Sequence, residues 1–357
     1  MLKKEWLILA RKTYKKIITT PELIVQINPI NQRLVNRFLK NFDTKRSDSS
    51  VKVYKSNFNI FFCWNIIYND NKSFIDIKKS QLLDFFDFAV SDLKWSPNRY
   101  SQMWSSLSSL SNFIENILDD EYPDFRNIVK KIDKLPKNVV REKTVLTEDQ
   151  INNLMKWLDQ NELYQEECLL ALAISSGARI SELFRFDIDL IDESNVAFDG
   201  LFLETKKEIK TKGAGKQGAM KYKYIIKDIF MPIYKKWISI RNETLKKNNI
   251  NHNSLFIKKD GTPANADTAR YWMKKWENYL TNDEPTNIEH KYINLYPHCL
   301  RHYIVTYLSR IGLESDFIIA VMGWKSADMY SIYNDMTAKE KNWKSLDKLK
   351  DSLKGDE

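Results

Sequence analysis

Cysteine and histidine are scarce in this chain, and their scarcity narrows its chemistry. Three cysteines stand among 357 residues, and Cys63, Cys168 and Cys299 form neither a CxxC pair nor an even secretory framework. Cys63 follows Phe61-Phe62 and precedes Trp64, and Cys168 heads Cys168-Leu169-Leu170, settings in which a thiol fills a core. Four histidines without paired thiols disfavour a structural zinc site. No stretch approaches the roughly 20 uninterrupted apolar residues of a membrane span. The short apolar run within residues 1–10 lacks the length of a signal h-region and a small-residue cleavage site. The expectation is a cytoplasmic protein with no membrane segment, no metal and no cofactor. No internal repeat is visible.

What is present reads as globular. Charged residues make up 29% and hydrophobic ones 43%, and 357 residues are long enough for two or three cores of ordinary domain size. A net charge of +9 favours a polyanionic partner only weakly. The 17 tyrosines and 18 phenylalanines suit helical cores as readily as base stacking, so composition leaves the partner open.

Along the chain, residues 1–30 form an N-terminal extension in which Leu7 to Lys16 suit a short basic helix. Residues 31–131 carry helical periodicity throughout. Ser47 to Ser50 offer caps for a helix through Tyr54, Phe58, Phe61 and Phe62, and Asp76 is placed to cap the next. Ser96-Pro97 opens another, and Pro123 is read as the start of a fifth. The apolar stripe fades over 132–146, a linker whose Lys137 and Arg141 could cross a DNA backbone or simply be solvated. Thr147 to Gln150 supply a capping box at the start of a second domain, 147–334, in which Cys168 to Ile174 read as a central buried helix. Strand-like segments follow at 196–198, 201–203 and 222–226, with a glycine- and lysine-rich stretch at 211–219 expected to join two strands and a further short strand at 255–257. Asp267 is read as a helix cap, and three helices are expected over 297–311, 314–322 and 326–332. Residues 335–357 are a charged tail anchored by Trp343 and Leu346.

Five residue types in the second domain suit phosphate chemistry. Arg179 follows the buried helix beside Gly177, where a rigid guanidinium could grip two phosphate oxygens. Glu182, three residues on, could orient it; in isolation the pair reads equally as a surface salt bridge. His298 and Arg301, three apart, share a face of one helix that opens at Pro297. Trp324 could donate its indole N–H to the same phosphate while its ring buttresses the pocket, although alone it reads as a core residue. Tyr333 is the candidate nucleophile. A free phenol, with a pKa of ~10, attacks poorly, and two arginines would favour its phenolate and the charge gathering on pentacoordinate phosphorus. Tyr330 lies on nearly the same face, and periodicity does not exclude it.

The segment Tyr296-Pro297-His298-Cys299-Leu300-Arg301-His302, followed by Met322-Gly323-Trp324 and Tyr333, resembles the C-terminal box of the tyrosine recombinases, or phage integrases. Ser176-Gly177-Ala178-Arg179-Ile180-Ser181-Glu182-Leu183 resembles their first box. The resemblance implies a two-domain, mainly α fold. An N-terminal helical, SAM-like core-binding domain would precede a C-terminal α+β catalytic domain with a small antiparallel sheet. It also implies catalytic roles for Arg179, Arg301, His298, Trp324 and Tyr333, and a lysine general acid on the hairpin after the first box. Eight lysines lie between 206 and 227. Lys212, immediately before Gly213, matches the family lysine best, with Lys210 and Lys216 as alternatives. Lys210, Lys216, Lys221 and Lys223 are also candidates for positioning DNA.

The implied activity is site-specific recombination through a 3′-phosphotyrosyl intermediate, in the service of a mobile element. Partners would be double-stranded recombination sites, a homotetramer across paired sites, and accessory DNA-bending or directionality factors. The tail would be the element exchanged between neighbours. Two alternatives are a type IB topoisomerase-like relaxing enzyme and a catalytically inactive DNA-binding protein. Trp324 stands where the first usually has histidine, and the second has no need of the tyrosine.

Overall fold

The computed structural model describes residues 19–136, 143–213, 215 and 217–342. Residues 19–136 belong to one compact unit, and 143–213 with 219–342 to another. The expected basic helix at 7–16, the linker residues Lys137 and Arg141, Lys216, and the tail anchors Trp343 and Leu346 lie outside the described residues.

The first unit is helical: α1 (Pro21–Gln26), α2 (Pro29–Asp43), α3 (Asp48–Tyr68), α4 (Lys79–Ser91) and α5 (Pro97–Ile117). Side chains that prefer caps start most of them. Thr20, Ser47 and Ser96 accept amides of the first turns of α1, α3 and α5. Proline stands at the first helical position of α1, α2 and α5, where no N–H is needed. The core is aromatic: Phe58, Phe61, Phe62, Phe85 and Phe86 are fully buried, each contributing on the order of 2 kcal/mol by leaving water. Two starts differ from the sequence reading. Asp76 closes a short 3₁₀ turn, Phe74–Asp76, and α4 begins three residues later, where Gln81 Oε1 accepts the Lys78 amide at 3.0 Å. Pro123 opens no helix. The segment turns instead into a 3₁₀ stretch, Ile128–Lys131, because Asn127 Oδ1 captures the amides of Val129 and Lys130.

The second unit opens with α6 (Glu148–Gln160), whose capping box is reciprocal: Gln150 N–H donates to Thr147 Oγ1, and Thr147 N–H to Gln150 Oε1, both at 3.1 Å. Next comes α7 (Tyr164–Ser176), buried on every side from Glu166 to Ser176. It is the axis of the core, packing on α6, on α9 (Lys227–Lys247) and on α11 (Pro297–Arg310). After the single-turn α8 (Ile180–Leu183), an antiparallel sheet runs in the order β1-β2-β5, from β1 (Val196–Ala197), β2 (Phe202–Glu204) and β5 (Tyr224–Ile226). Between β2 and β5 the hairpin strands β3 (Ile209–Thr211) and β4 (Ala219–Lys221) pair separately, with Thr211 opposite Ala219. Residues 255–257 are buried but form no strand, only a bridge from Ile257 to Pro263. Helix α10 (Ala266–Asn282) is capped by Asn265, whose Oδ1 accepts the amides of Asp267 and Thr268, so Asp267 is inside the first turn. The domain closes with α11, α12 (Ser315–Val321) and α13 (Asp328–Tyr333). The mainly α, two-domain architecture with a small antiparallel sheet is the one read from the sequence.

Candidate active site

Two turns build the site. At the first, α7 stops at Gly177, whose φ of +56° is left-handed. A Cβ there would lie 2.4 Å from Met322 Sδ, so neither the backbone angle nor the space admits a side chain. The turn delivers Arg179 as the N-cap of α8. Glu182 then holds it twice: its Oε1 accepts Arg179 Nη1 at 2.9 Å, and its Oε2 accepts the Arg179 amide at 3.2 Å. Pairing decides between the two readings of this motif, because Glu182 is wholly buried and the pair is no surface salt bridge. Burial works to raise the Glu182 carboxyl. The ammonium of Lys223, 3.0 Å from Oε2, and the Arg179 bonds outweigh it and hold the carboxyl at about 2.

At the second turn, α11 begins at Pro297 and places His298 and Arg301 on one face. Arg301 is 2% exposed, and its Nη1 donates to the Gly177 carbonyl. The same glycine thus ends α7 and fixes the second arginine. Burial, helped by the neighbouring Arg179, lowers the Arg301 guanidinium to about 10, which leaves it charged at neutral pH. Its Nε and Nη2 and the Trp324 indole Nε1 are buried without a hydrogen-bond partner among the described residues. Buried donors are rarely left unpaired. These three are spare N–H groups suited to the oxygens of an oxyanion.

Tyr333 ends α13 and is 7% exposed. Its hydroxyl lies 3.2 Å from His298 Nδ1, and its ring stacks on Trp324 with centroids 5.4 Å apart. The Arg301 guanidinium carbon is 5.1 Å from both ring centroids, Trp324 and Tyr333. The backbone is pinned too. Thr306 Oγ1 donates to the Tyr333 carbonyl at 3.3 Å and accepts the Asp335 amide at 2.9 Å. Burial, then the charges of Arg301 and Arg179, push the His298 imidazole below its ordinary pKa. A neutral ring protonated at Nε2 can therefore accept the phenol proton at Nδ1. Tyr330 is turned away: its hydroxyl lies 3.1 Å from Ser309 Oγ and accepts from Asn334 Nδ2 at 2.7 Å.

The hairpin lysines separate. Lys212 follows β3, is exposed, and is close enough for its charge to depress His298 further. Lys210 is exposed within β3, its carbonyl bonded by Arg185. Lys221 Nζ donates to the Gly323 carbonyl, next to Trp324. Lys223 departs most from the sequence reading: it is 5% exposed and faces Glu182 from inside the domain.

Sequence reasoning missed a network beneath the tyrosine. His302 Nδ1 lies 2.6 Å from Asp335 Oδ2, and Asp335 Oδ1 accepts Lys143 Nζ at 3.0 Å. Lys143 also donates to the Ile332 carbonyl at 3.1 Å, and the His302 ring centroid lies 4.8 Å from that of Tyr333. The adjacency of His302 to Arg301 was the available signal; the partners lie too far along the chain to be read locally. Among the described residues, no group of three or more His, Cys, Asp or Glu could hold a metal ion.

Comparison with known proteins agrees with this geometry. The profile of the phage integrase family matches residues 144–340. The SPbeta prophage-derived recombinase-like protein YomM of Bacillus subtilis (strain 168) is 25% identical over 295 residues, covering 82% of each chain. Two solved structures share the fold at low identity. XerH site-specific recombinase bound to palindromic difH substrate has a TM-score of 0.64 at 14% identity, over 89% of this chain and 96% of that one. The Tn1549 transposon integrase in complex with transposon right end DNA has a TM-score of 0.62 at 15% identity, over 90% and 99%. The chain belongs to the phage integrase family and is a tyrosine-type site-specific DNA recombinase.

Proposed function

We propose that this recombinase cuts and reseals duplex DNA at the recombination sites of a mobile element, with Tyr333 as nucleophile. One observation carries the reading: the Tyr333 hydroxyl sits 3.2 Å from His298 Nδ1, beside a buried arginine and indole whose three N–H donors have no partner among the described residues. Tyr333 Oη attacks the scissile phosphorus as its proton passes to His298 Nδ1. The bond from phosphorus to the 5′ oxygen breaks, and Lys212 protonates that leaving oxygen. Arg179, Arg301 and Trp324 hold the non-bridging oxygens, with their strongest demand at the pentacoordinate stage. A 5′ hydroxyl from the partner strand then attacks the 3′-phosphotyrosyl bond, and the same groups run in reverse. Bond energy stays in the adduct, so no nucleotide is hydrolysed.

The DNA-bound states of XerH and the Tn1549 integrase support a DNA duplex as substrate, and the prophage origin of YomM supports a mobile-element role. Lys210 and Lys221 are assigned to DNA positioning, as are Lys216, Lys137 and Arg141. A homotetramer on paired sites, with accessory DNA-bending or directionality factors, completes the reading, and DNA in the cytoplasm is its place of action. No helix among the described residues is long and apolar enough to cross a membrane.

The test is a nicked suicide duplex carrying the attachment site from the junctions of the host element. Wild type should become covalently linked and transfer the strand to a second duplex with a free 5′ hydroxyl; Tyr333→Phe should do neither. Tight binding of the site by wild type with no covalent product contradicts the proposal.

A further inference from the structure

Lys223 is placed where an ammonium is costly. Its side chain is 6% exposed, in a setting where burying an unpaired charge would be prohibitive. It sits in the break between β4 and β5, and Thr205 fixes its backbone from both sides. The Thr205 amide donates to the Lys223 carbonyl at 2.9 Å, and the Lys223 amide donates to Thr205 Oγ1 at 3.1 Å. That anchoring sends Nζ to Glu182 Oε2 at 3.0 Å, on the carboxylate that orients Arg179 through its other oxygen. An apolar residue would fill the space at lower desolvation cost, because buried ion pairs seldom exceed well-packed apolar replacements in stability.

The charge balance of the pocket gives the lysine a purpose. Arg179 alone would spend its charge on Glu182. With Lys223 opposite the same carboxylate, the two arginines face the phosphate with their charge uncompensated. Three cations against one carboxylate leave two net positive charges; without Lys223 one remains. A phosphodiester carries one negative charge, and its pentacoordinate state gains a second.

We propose that Lys223 is a positioning residue for the reaction: it neutralises Glu182 so that Arg179 and Arg301 meet the transition state with two unspent positive charges. The inference rests on the recombinase reading above. It makes Lys223 a counterion inside the domain, where it touches neither DNA nor the reacting atoms.

The test compares wild type, Lys223→Met, Lys223→Arg, Glu182→Gln and the double variant E182Q/K223M. The readouts are the single-turnover rate of adduct formation on the suicide duplex and the Kd for the same site. K223M should slow cleavage by on the order of 100-fold while the Kd stays within about threefold. K223R should regain most of the rate. The double variant restores the charge balance, so it should cleave faster than K223M alone, a coupling that a purely structural lysine would not produce. It removes the Lys223 and Glu182 charges together, so it and K223R remain informative if K223M fails to fold. Wild-type speed in K223M, or a double variant no faster than K223M, overturns the inference and leaves the recombinase reading intact. A wild-type chain that binds the duplex without forming an adduct overturns both.

Discussion

The Tyr333 hydroxyl and His298 Nδ1 lie 3.2 Å apart, contributed by the last residue of α13 and the first turn of α11. Thr306, two turns further along α11, fastens the Tyr333 carbonyl. The helix that carries the proton acceptor therefore also fastens the backbone of the nucleophile.

The spare donors predict graded losses. Arg301→Lys keeps a charge but loses the planar fork, so cleavage should fall by on the order of 100-fold or more. Trp324→Phe keeps the stacked ring and loses only the N–H, for a loss of about tenfold. Single-turnover cleavage with unchanged site binding checks both. Equal losses for the two would contradict separate roles for the fork and the indole.

His298 sets the acid limb of the rate. Its pKa is lowered from the ordinary 6.5 by burial first, then by Arg301, Arg179, His302 and Lys212. Cleavage needs the neutral ring, so the rate should fall on the acid side with a midpoint below pH 6.5. NMR titration of His298 should give a midpoint under 6.5. The linkage has the same sign: the unfolded chain takes up this proton first, so the stability contribution is full above 6.5 and is lost as pH falls.

Glu182 controls stability in a lower window. Its folded pKa of about 2 lies under the ordinary 4.5. A depressed carboxylate contributes stability above its unfolded value and loses it as pH falls through the folded one. Wild type should therefore lose stability between about pH 4.5 and 2, and Glu182→Gln should flatten that part of the curve in denaturant melts. A parallel curve for the variant would contradict the buried pair.

Gly177→Ala should destabilise by about 1–3 kcal/mol. The strained φ adds to a Cβ contact 2.4 Å from Met322 Sδ, and the displaced carbonyl would no longer hold Arg301. A urea midpoint and the cleavage rate should fall together. An unchanged rate would show that Arg301 is fixed by other contacts.

Much of this site was legible because its parts are local. Gly177 through Glu182 and His298 through Arg301 are short motifs whose spacing sets a face, and the structure brings both to one pocket. Tyr330 and Tyr333 were inseparable by periodicity. Helix α13 is six residues long, and what divides the two tyrosines is Ser309 and Asn334 on one side and His298 on the other. Lys223 was illegible for a related reason. Amid seven other lysines between 206 and 227 it looks solvated, and its partner lies 41 residues earlier. The apolar run at 255–257 reported burial correctly and pairing wrongly, since hydrophobicity records what leaves water and says nothing of which backbone is adjacent.

The most direct measurement is peptide mass mapping of the chain trapped on its suicide duplex. DNA remnants are expected on the peptide containing Tyr333, with the same adduct yield in Tyr330→Phe. DNA attached to Tyr330, or an adduct that survives Tyr333→Phe, would contradict Tyr333 as the nucleophile.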